Sequence, residues 1–329
     1  MTKPITATAA MILVQRGQLD LMDPVEKFLP GFHGQKVITP NGLEDAHRPV
    51  NIMDLLGMTA GTAYPDADPA GQHAARLFEE NHRLMAQGKG MSTVEFCNRM
   101  GELPLAFQPG THWRYSTCAD ILGAVIEVAS GKAFEEFLQD EFFIPLGMKD
   151  TAFFVPEEKE NRFVTCYKRV PGGLETFRQL HLAVGDYSRK PEFISGGAGL
   201  VSTLDDYAAF ADMLLGEGEY KGRRILSSAG VKFLTQGQLK PSLRDEMWNG
   251  LEGYSYGKLM RVCEEPGSVP GLSRLGEYGW DGWLGSYFAN FPTEKMTILS
   301  MQNTTDTGTS TVVRKVRNLV LAALSNGEI

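Results

Sequence analysis

Hydrophobic periodicity changes character once along these 329 residues, and that change limits the folds open to the chain. Up to about residue 215 the apolar residues recur mainly at helical spacing. Ile5, Ala9, Ile12 and Leu13 lead to Gly17, with Pro4 in the first turn, where its missing N–H costs nothing. Stretches 52–56, 73–85 and 94–100 read as helices, the last opened by Ser92 with Glu95 three residues on, a capping box. Ile121, Leu122, Val125 and Val128 mark another, closed by Gly131, and 133–143 continues it. Ser202 or Thr203 caps a helix over 204–215, and Ser227 or Ser228 a further one. From Tyr254 the pattern turns to short aromatic or β-branched runs, 254–262, 277–280, 286–290 and 296–302, separated by Gly and Pro as in antiparallel strands. A closing helix over 310–324 carries Val313, Val316, Val320 and Leu324 on one stripe that can cover a sheet face. The expectation is an α+β fold: an antiparallel sheet flanked by helices, plus a mostly helical lobe. We expect one catalytic unit over 1–329, with about 4–190 mainly helical and about 191–329 forming the sheet and last helix. A sheet drawn only from the last third leaves an edge unpaired, so strands preceding Met1 are expected to complete it.

Charge and cysteine usage narrow the function. The 40 acidic against 32 basic side chains give a net charge of -8 with scattered cations, which disfavours a nucleic-acid or anionic-membrane surface. Cys97, Cys118, Cys166 and Cys263 lie far apart with no C-x-x-C pair, so structural thiols are expected rather than a zinc site or disulfides. Unpaired thiols favour a reduced compartment, the cytoplasm. No stretch has the length of a membrane span and no signal-peptide pattern opens the chain. No pair of histidines has H-E-x-x-H spacing and no Gly-rich loop ends in Lys-Ser/Thr, so neither a metal nor a nucleotide cofactor is expected. Gly253-Tyr-Ser-Tyr-Gly257 fits the G-x-S-x-G pattern of a nucleophile elbow. That triad needs its histidine after the serine, and all six histidines precede Ser255. The segment reads instead as a Gly-flanked strand.

Five fragments then occur in a telling order. They are Met1-Thr-Lys-Pro leading into Arg16-Gly-Gln-Leu-Asp-Leu-Met-Asp-Pro-Val; Asp54-Leu-Leu-Gly-Met-Thr-Ala-Gly; Gln108-Pro-Gly-Thr-His-Trp-Arg-Tyr-Ser-Thr; Gly197-Ala-Gly-Leu-Val-Ser-Thr; and Trp280-Asp-Gly. Together they resemble the serine β-lactamase and penicillin-binding-protein superfamily over nearly the whole chain. The resemblance is greatest to the group related to class C β-lactamases, which includes D-aminopeptidases, D,D-peptidases and esterases with a β-lactamase fold.

The resemblance implies acyl transfer through an acyl-enzyme. Lys3 matches the lysine of Ser-x-x-Lys, the general base, and the serine's place is the position immediately before Met1, so the chain as written lacks the nucleophile. One helical turn between the two residues lets the amine reach the hydroxyl. Tyr115 matches the tyrosine of Tyr-x-Asn, the proton relay, with Thr117 where the family has asparagine. Trp280-Asp281-Gly282 stands where β-lactamases carry Lys-Thr-Gly. A tryptophan cannot anchor a substrate carboxylate, and the Trp-x-Gly form resembles the esterase branch. Gly282 permits close backbone approach, and the N–H of Trp283 is the implied oxyanion donor. Lys3, Tyr115 and Trp283 are thus the candidate catalytic residues, and Thr117, Trp280, Asp281 and Gly282 the candidate substrate contacts. The implied partner is a small-molecule ester, most simply a short acyl ester, or an amide. Two alternatives stay open: a catalytically silent ligand-binding relative or inactive fragment, and an amide hydrolase of the β-lactamase or D,D-peptidase kind.

Overall fold

The computed structural model describes residues 1–308 and 310–325. Three short hairpins punctuate the surface: β1 (Lys36–Thr39) with β2 (Gly42–Asp45), β3 (Tyr167–Val170) with β4 (Gly173–Thr176), and β5 (Glu219–Tyr220) with β6 (Arg223–Arg224). The main sheet is antiparallel and built from β7 (Tyr254–Tyr256), β8 (Arg261–Cys263), β9 (Tyr278–Asp281), β10 (Tyr287–Phe291) and β11 (Met296–Ser300), in the order β11-β10-β9-β8-β7. All four expected strand runs are present. The run 254–262 divides into β7 and β8 because the chain reverses at Gly257–Met260, with Leu259 in left-handed backbone at φ 57°. Among the described residues no strand pairs with the outer edge of β11.

The helices follow the sequence closely. α1 (Thr2–Gln15), α2 (Ile52–Gly57), α3 (Pro69–Met85), α4 (Thr93–Gly101) and α5 (Cys118–Ser130) occupy the first part of the chain, and α6 (Phe134–Leu138) and α7 (Ile144–Leu146) flank a π-turn over Gln139–Phe143. α8 (Leu204–Leu215), α9 (Ser228–Leu234), α10 (Pro241–Arg244) and α11 (Thr311–Ser325) complete the set. Of the proposed caps, Thr203 accepts from the Asp206 N–H, Ser227 from Gly230 and Ser92 from Glu95. The full reciprocal capping box belongs instead to α2, where Asn51 and Asp54 bond each other's backbone N–H. Gly131 closes α5 in left-handed backbone, as expected.

Alternation along the strands sorts the two faces of the sheet. Phe288 and Asn290 of β10 face α8, where the Phe288 ring meets Tyr207 and the Asn290 amide donates to the Ala211 carbonyl at 2.9 Å. Tyr287, Ala289 and Phe291 face the other way, into a small core with Ile298, Val313 and Leu321 under α11. The stripe on the last helix does cover a sheet face. α1 lies at the centre of the molecule, against α5, α9 and β9, and every residue from Thr2 to Leu13 is buried. None of the described helices is long and apolar enough to cross a membrane. Cys97, Cys118 and Cys263 are buried, Cys166 partly so, and all four are unpaired.

Candidate active site

Burying α1 on all sides puts its first turn, and therefore Lys3, in the interior. Lys3 is 3% exposed, and a buried amine requires partners. Its Nζ donates to the Gly197 carbonyl at 2.9 Å and to the Tyr64 hydroxyl at 3.4 Å, and stands 4.5 Å from the centre of the Tyr115 ring. The Gly-rich stretch after Ser195 threads between α1 and α5 to supply that carbonyl. A Cβ at Gly196 would lie 2.3 Å from the Ala119 carbonyl oxygen, and one at Gly197 would lie 2.8 Å from the Tyr64 hydroxyl. The close approach therefore excludes a side chain at both positions.

Asp120, in the first turn of α5, anchors this layer. Its carboxylate accepts from the Ser195 hydroxyl at 2.5 Å, the Gly197 N–H at 2.9 Å and the Tyr64 hydroxyl at 3.3 Å. Burial holds the Asp120 carboxyl above the usual range, opposed by nearby Lys3 and these donors. Burial first, then the Asp120 charge, raises the Tyr64 phenol well above its ordinary value. Lys3, Tyr64, Asp120, Ser195 and Gly197 thus form one buried hydrogen-bonded unit.

The fragments that resembled family motifs bond to one another. The Gly110 N–H donates to the Thr59 carbonyl at 2.8 Å, Arg114 to Met58 at 2.9 Å and Ala106 to Gly61 at 2.7 Å. This stitching brings the Tyr64 and Tyr115 rings to 5.8 Å. The Asp54 carboxylate, which caps α2, is also gripped by both Arg48 guanidinium nitrogens at 2.6 and 2.8 Å.

β9 forms the opposite wall. The Trp280 indole N–H donates to the Tyr115 hydroxyl at 3.4 Å, and the rings of Trp113, Tyr115, Trp248, Tyr256 and Trp280 pack together as one aromatic cluster. At the end of β9, Gly282 packs against the start of α1: a Cβ there would lie 3.7 Å from the Met1 nitrogen. The Gly282 N–H is used by the Ser286 carbonyl at 2.7 Å, whereas the Trp283 N–H has no acceptor among the described residues. The Trp283 side chain is fixed by its indole N–H to Asp306 at 2.7 Å and by the rings of Phe177 and His181.

The structure therefore gathers Lys3, Tyr115, Trp280 and Gly282, with Trp283 following directly. The other two candidates present no accessible polar group: one is sealed off and the other is engaged. Thr117 is 0% exposed, and its hydroxyl lacks a hydrogen-bond partner among the described residues. The Asp281 carboxylate is taken by the buried Arg261 at 2.7 Å. Ser116 is buried against Thr62 and Cys118, and Ser255 lies wholly buried in β7. Tyr64, Asp120 and Trp248 were not singled out in the sequence. Only Tyr64 had a local signal, three residues after the Gly61 that ends the second motif fragment.

Comparison with known proteins agrees with this architecture. The family described as Beta-lactamase matches residues 1–328. An uncharacterised protein of Mycobacterium tuberculosis is 30% identical over 311 residues, covering 91% of this chain and 75% of that protein. Esterase EstB of Burkholderia gladioli is 28% identical over 327 residues, with 94% and 77% covered. A putative D-alanyl-D-alanine carboxypeptidase of Escherichia coli is 26% identical over 319 residues, with 91% and 66% covered. Among solved structures, EstCE1, a hydrolase with promiscuous acyltransferase activity, superposes with a TM-score of 0.75 at 24% identity, covering 92% and 78%. Simvastatin synthase of Aspergillus terreus does so at 0.76 and 20%, covering 96% and 80%. These two likenesses establish the fold alone. With the family pattern spanning residues 1–328 and the expected lysine, tyrosine and Trp-x-Gly strand converging in space, the chain belongs to the beta-lactamase family.

Proposed function

We propose that this chain forms the catalytic domain of a serine hydrolase that works through an acyl-enzyme on short acyl esters. The observation that carries the reading is the convergence of a buried lysine on the ring of Tyr115, whose hydroxyl meets Trp280, beside a strand end with an unused backbone N–H. A serine at the position immediately before Met1 would stand one helical turn from Lys3. Its hydroxyl oxygen would attack the ester carbonyl carbon while its proton passes to Lys3. The Trp283 N–H would face the oxyanion of the tetrahedral intermediate. On collapse the C–O bond to the alcohol breaks, Tyr115 gives its proton to the departing oxygen and takes back the one held by Lys3, leaving the acyl group on the serine and the lysine neutral again. Water then repeats the sequence and releases the acid.

Aromatic walls support esters over substrates bearing a carboxylate. Trp280 and Trp248 replace the cation that would hold a charged group, and the nearby Arg261 is committed to Asp281. In this reading Trp280 and Gly282 contact substrate, whereas Thr117 and Asp281 act from behind, Asp281 by holding β9 through Arg261.

The test compares the protein with serine placed before Met1, the chain beginning at Met1, and Lys3→Ala and Tyr115→Phe in the serine-bearing form. Turnover of p-nitrophenyl acetate and butyrate, and mass gain with a fluorophosphonate, are expected only with serine present, and each substitution is expected to reduce turnover by at least a hundredfold. A folded serine-bearing protein that neither turns over nor gains mass refutes the reading and favours a silent ligand-binding role.

A further inference from the structure

Trp283 is held by a turn whose own geometry is costly. The His181 N–H donates to the Val184 carbonyl at 2.7 Å and the Val184 N–H to the His181 carbonyl at 2.9 Å, closing a tight turn. Its central residues, Leu182 and Ala183, both adopt left-handed backbone, at φ 51° and 60°. Turns with two such residues normally use Asn or Gly, so Leu-Ala persists here only because the surroundings impose it. Two contacts do so. The His181 ring stacks flat on the Trp283 indole, centroids 3.9 Å apart at 12°. On the far side, the Ala183 N–H donates to Nε2 of His82 on α3 at 3.0 Å.

That second contact fixes a protonation state. An imidazole nitrogen can accept an N–H only through its lone pair, so Nε2 of His82 is unprotonated and the ring proton sits on Nδ1. Protonation of His82 turns the acceptor into a donor facing a donor. We propose that His181 is a positioning residue for the Trp283 backbone N–H, and that His82 is the acceptor latch that keeps His181 in place. The proposal deepens the acyl-transfer reading, on which its rate arm rests; its spectroscopic arm does not depend on that reading.

The direction of the pH response follows. Burial pushes His82 below the ordinary histidine value of 6.5, with Glu79 on the same helix opposing. Burial also lowers His181, with Asp306 raising it and His82 lowering it further. The latch is therefore closed above about pH 6.5 and opens as pH falls below that value.

The experiment isolates Trp283 emission by subtracting the spectrum of Trp283→Phe from that of each protein. At pH 7.5, His181→Ala and His82→Ala are both expected to move this emission to longer wavelength. His82→Gln, which retains an acceptor oxygen, is expected to match the parent. The parent is expected to show the same displacement on acidification below pH 6.5, whereas His82→Gln is not. In the serine-bearing protein, His82→Ala is expected to lower kcat roughly ten- to a hundredfold with KM changed less than twofold, and His82→Gln to restore it. The proposal is overturned if Trp283 emission in the parent does not respond at any pH between 7.5 and the onset of acid unfolding, or if His82→Gln behaves as His82→Ala. The parent titration needs only the Trp283→Phe reference and so remains decisive if a His82 or His181 variant fails to fold. A null ester assay beside a positive titration refutes the acyl-transfer reading and leaves the latch standing.

Discussion

Glu277, 0% exposed between β8, β9 and α11, lies at the centre of a buried charge cluster, and neutralising it should be expensive. Its carboxylate stands 3.7 Å from Arg261 and 3.5 Å from Arg317, and accepts from the hydroxyls of Tyr254, at 3.1 Å, and Ser273. Arg261 and Arg317 face two carboxylates, Glu277 and Asp281, so the cluster is neutral as built. Glu277→Gln keeps the shape but leaves one cation without its counterion, away from water. Breaking a buried pair in this way costs about 3–5 kcal/mol. For a chain of this length the entropy of unfolding is about 0.7 kcal/mol per K, so calorimetry should show a Tm lower by about 4–7 °C. Adding Arg317→Leu restores neutrality and should recover at least half of the loss. A Glu277→Gln protein melting within about 1 °C of the parent, or a double variant melting below the single one, would refute the reasoning.

Gly197→Ala should cost the serine-bearing enzyme at least tenfold in kcat, measured on p-nitrophenyl acetate, because the added methyl would crowd both Tyr64 and the Asp120 carboxylate, 2.8 and 2.9 Å away. Removing the cap with Thr203→Ala should destabilise α8, and with it the face of β10, by about 1 kcal/mol in urea unfolding. Arg162 and Lys159 hold the Asp150 carboxyl down at about 2, so its stabilisation is present above the ordinary 3.8 and lost as pH falls toward 2; Asp150→Asn should flatten that part of the acid-unfolding curve. Maleimide at neutral pH should modify Cys166 first, since Cys97, Cys118 and Cys263 are buried, with peptide mapping as the readout.

The elements were legible wherever local pattern decides them. Thr203 and Ser227 cap their helices, Gly131 ends α5, and Val313 turns a sheet-facing stripe inward. The hairpin of β1 and β2 was not legible, since Lys36 to Asp45 shows little alternation and β1 is anchored by a distant partner, bonding Leu105 through Lys36 and Ile38 at 2.8 Å with Val37 buried. In the site, Lys3, Tyr115 and Trp280 stood out because each lies in a fragment resembling a family motif. Asp120 and Trp248 did not, because neither has a local signature. Asp120 reads as an ordinary first-turn acid on α5, and only packing against Ser195 and Gly197, some 75 residues away, gives it a role. Asp281 shows the converse: its motif position suggested a substrate contact, while a partner on the neighbouring strand, Arg261, had already engaged it.

α1 has no solvent-facing side between Thr2 and Leu13, so the helix that presents Lys3 is also the element around which the rest condenses. Its amides should exchange with deuterium only when the whole molecule opens, unlike those of surface hairpins, which open alone. The Lys3 amine then lacks its partners in a partly assembled protein. Until α5, α9 and β9 have closed around it, the Gly197 carbonyl and the Tyr115 ring are not beside it. Appearance of the site during refolding should therefore coincide with the last cooperative step.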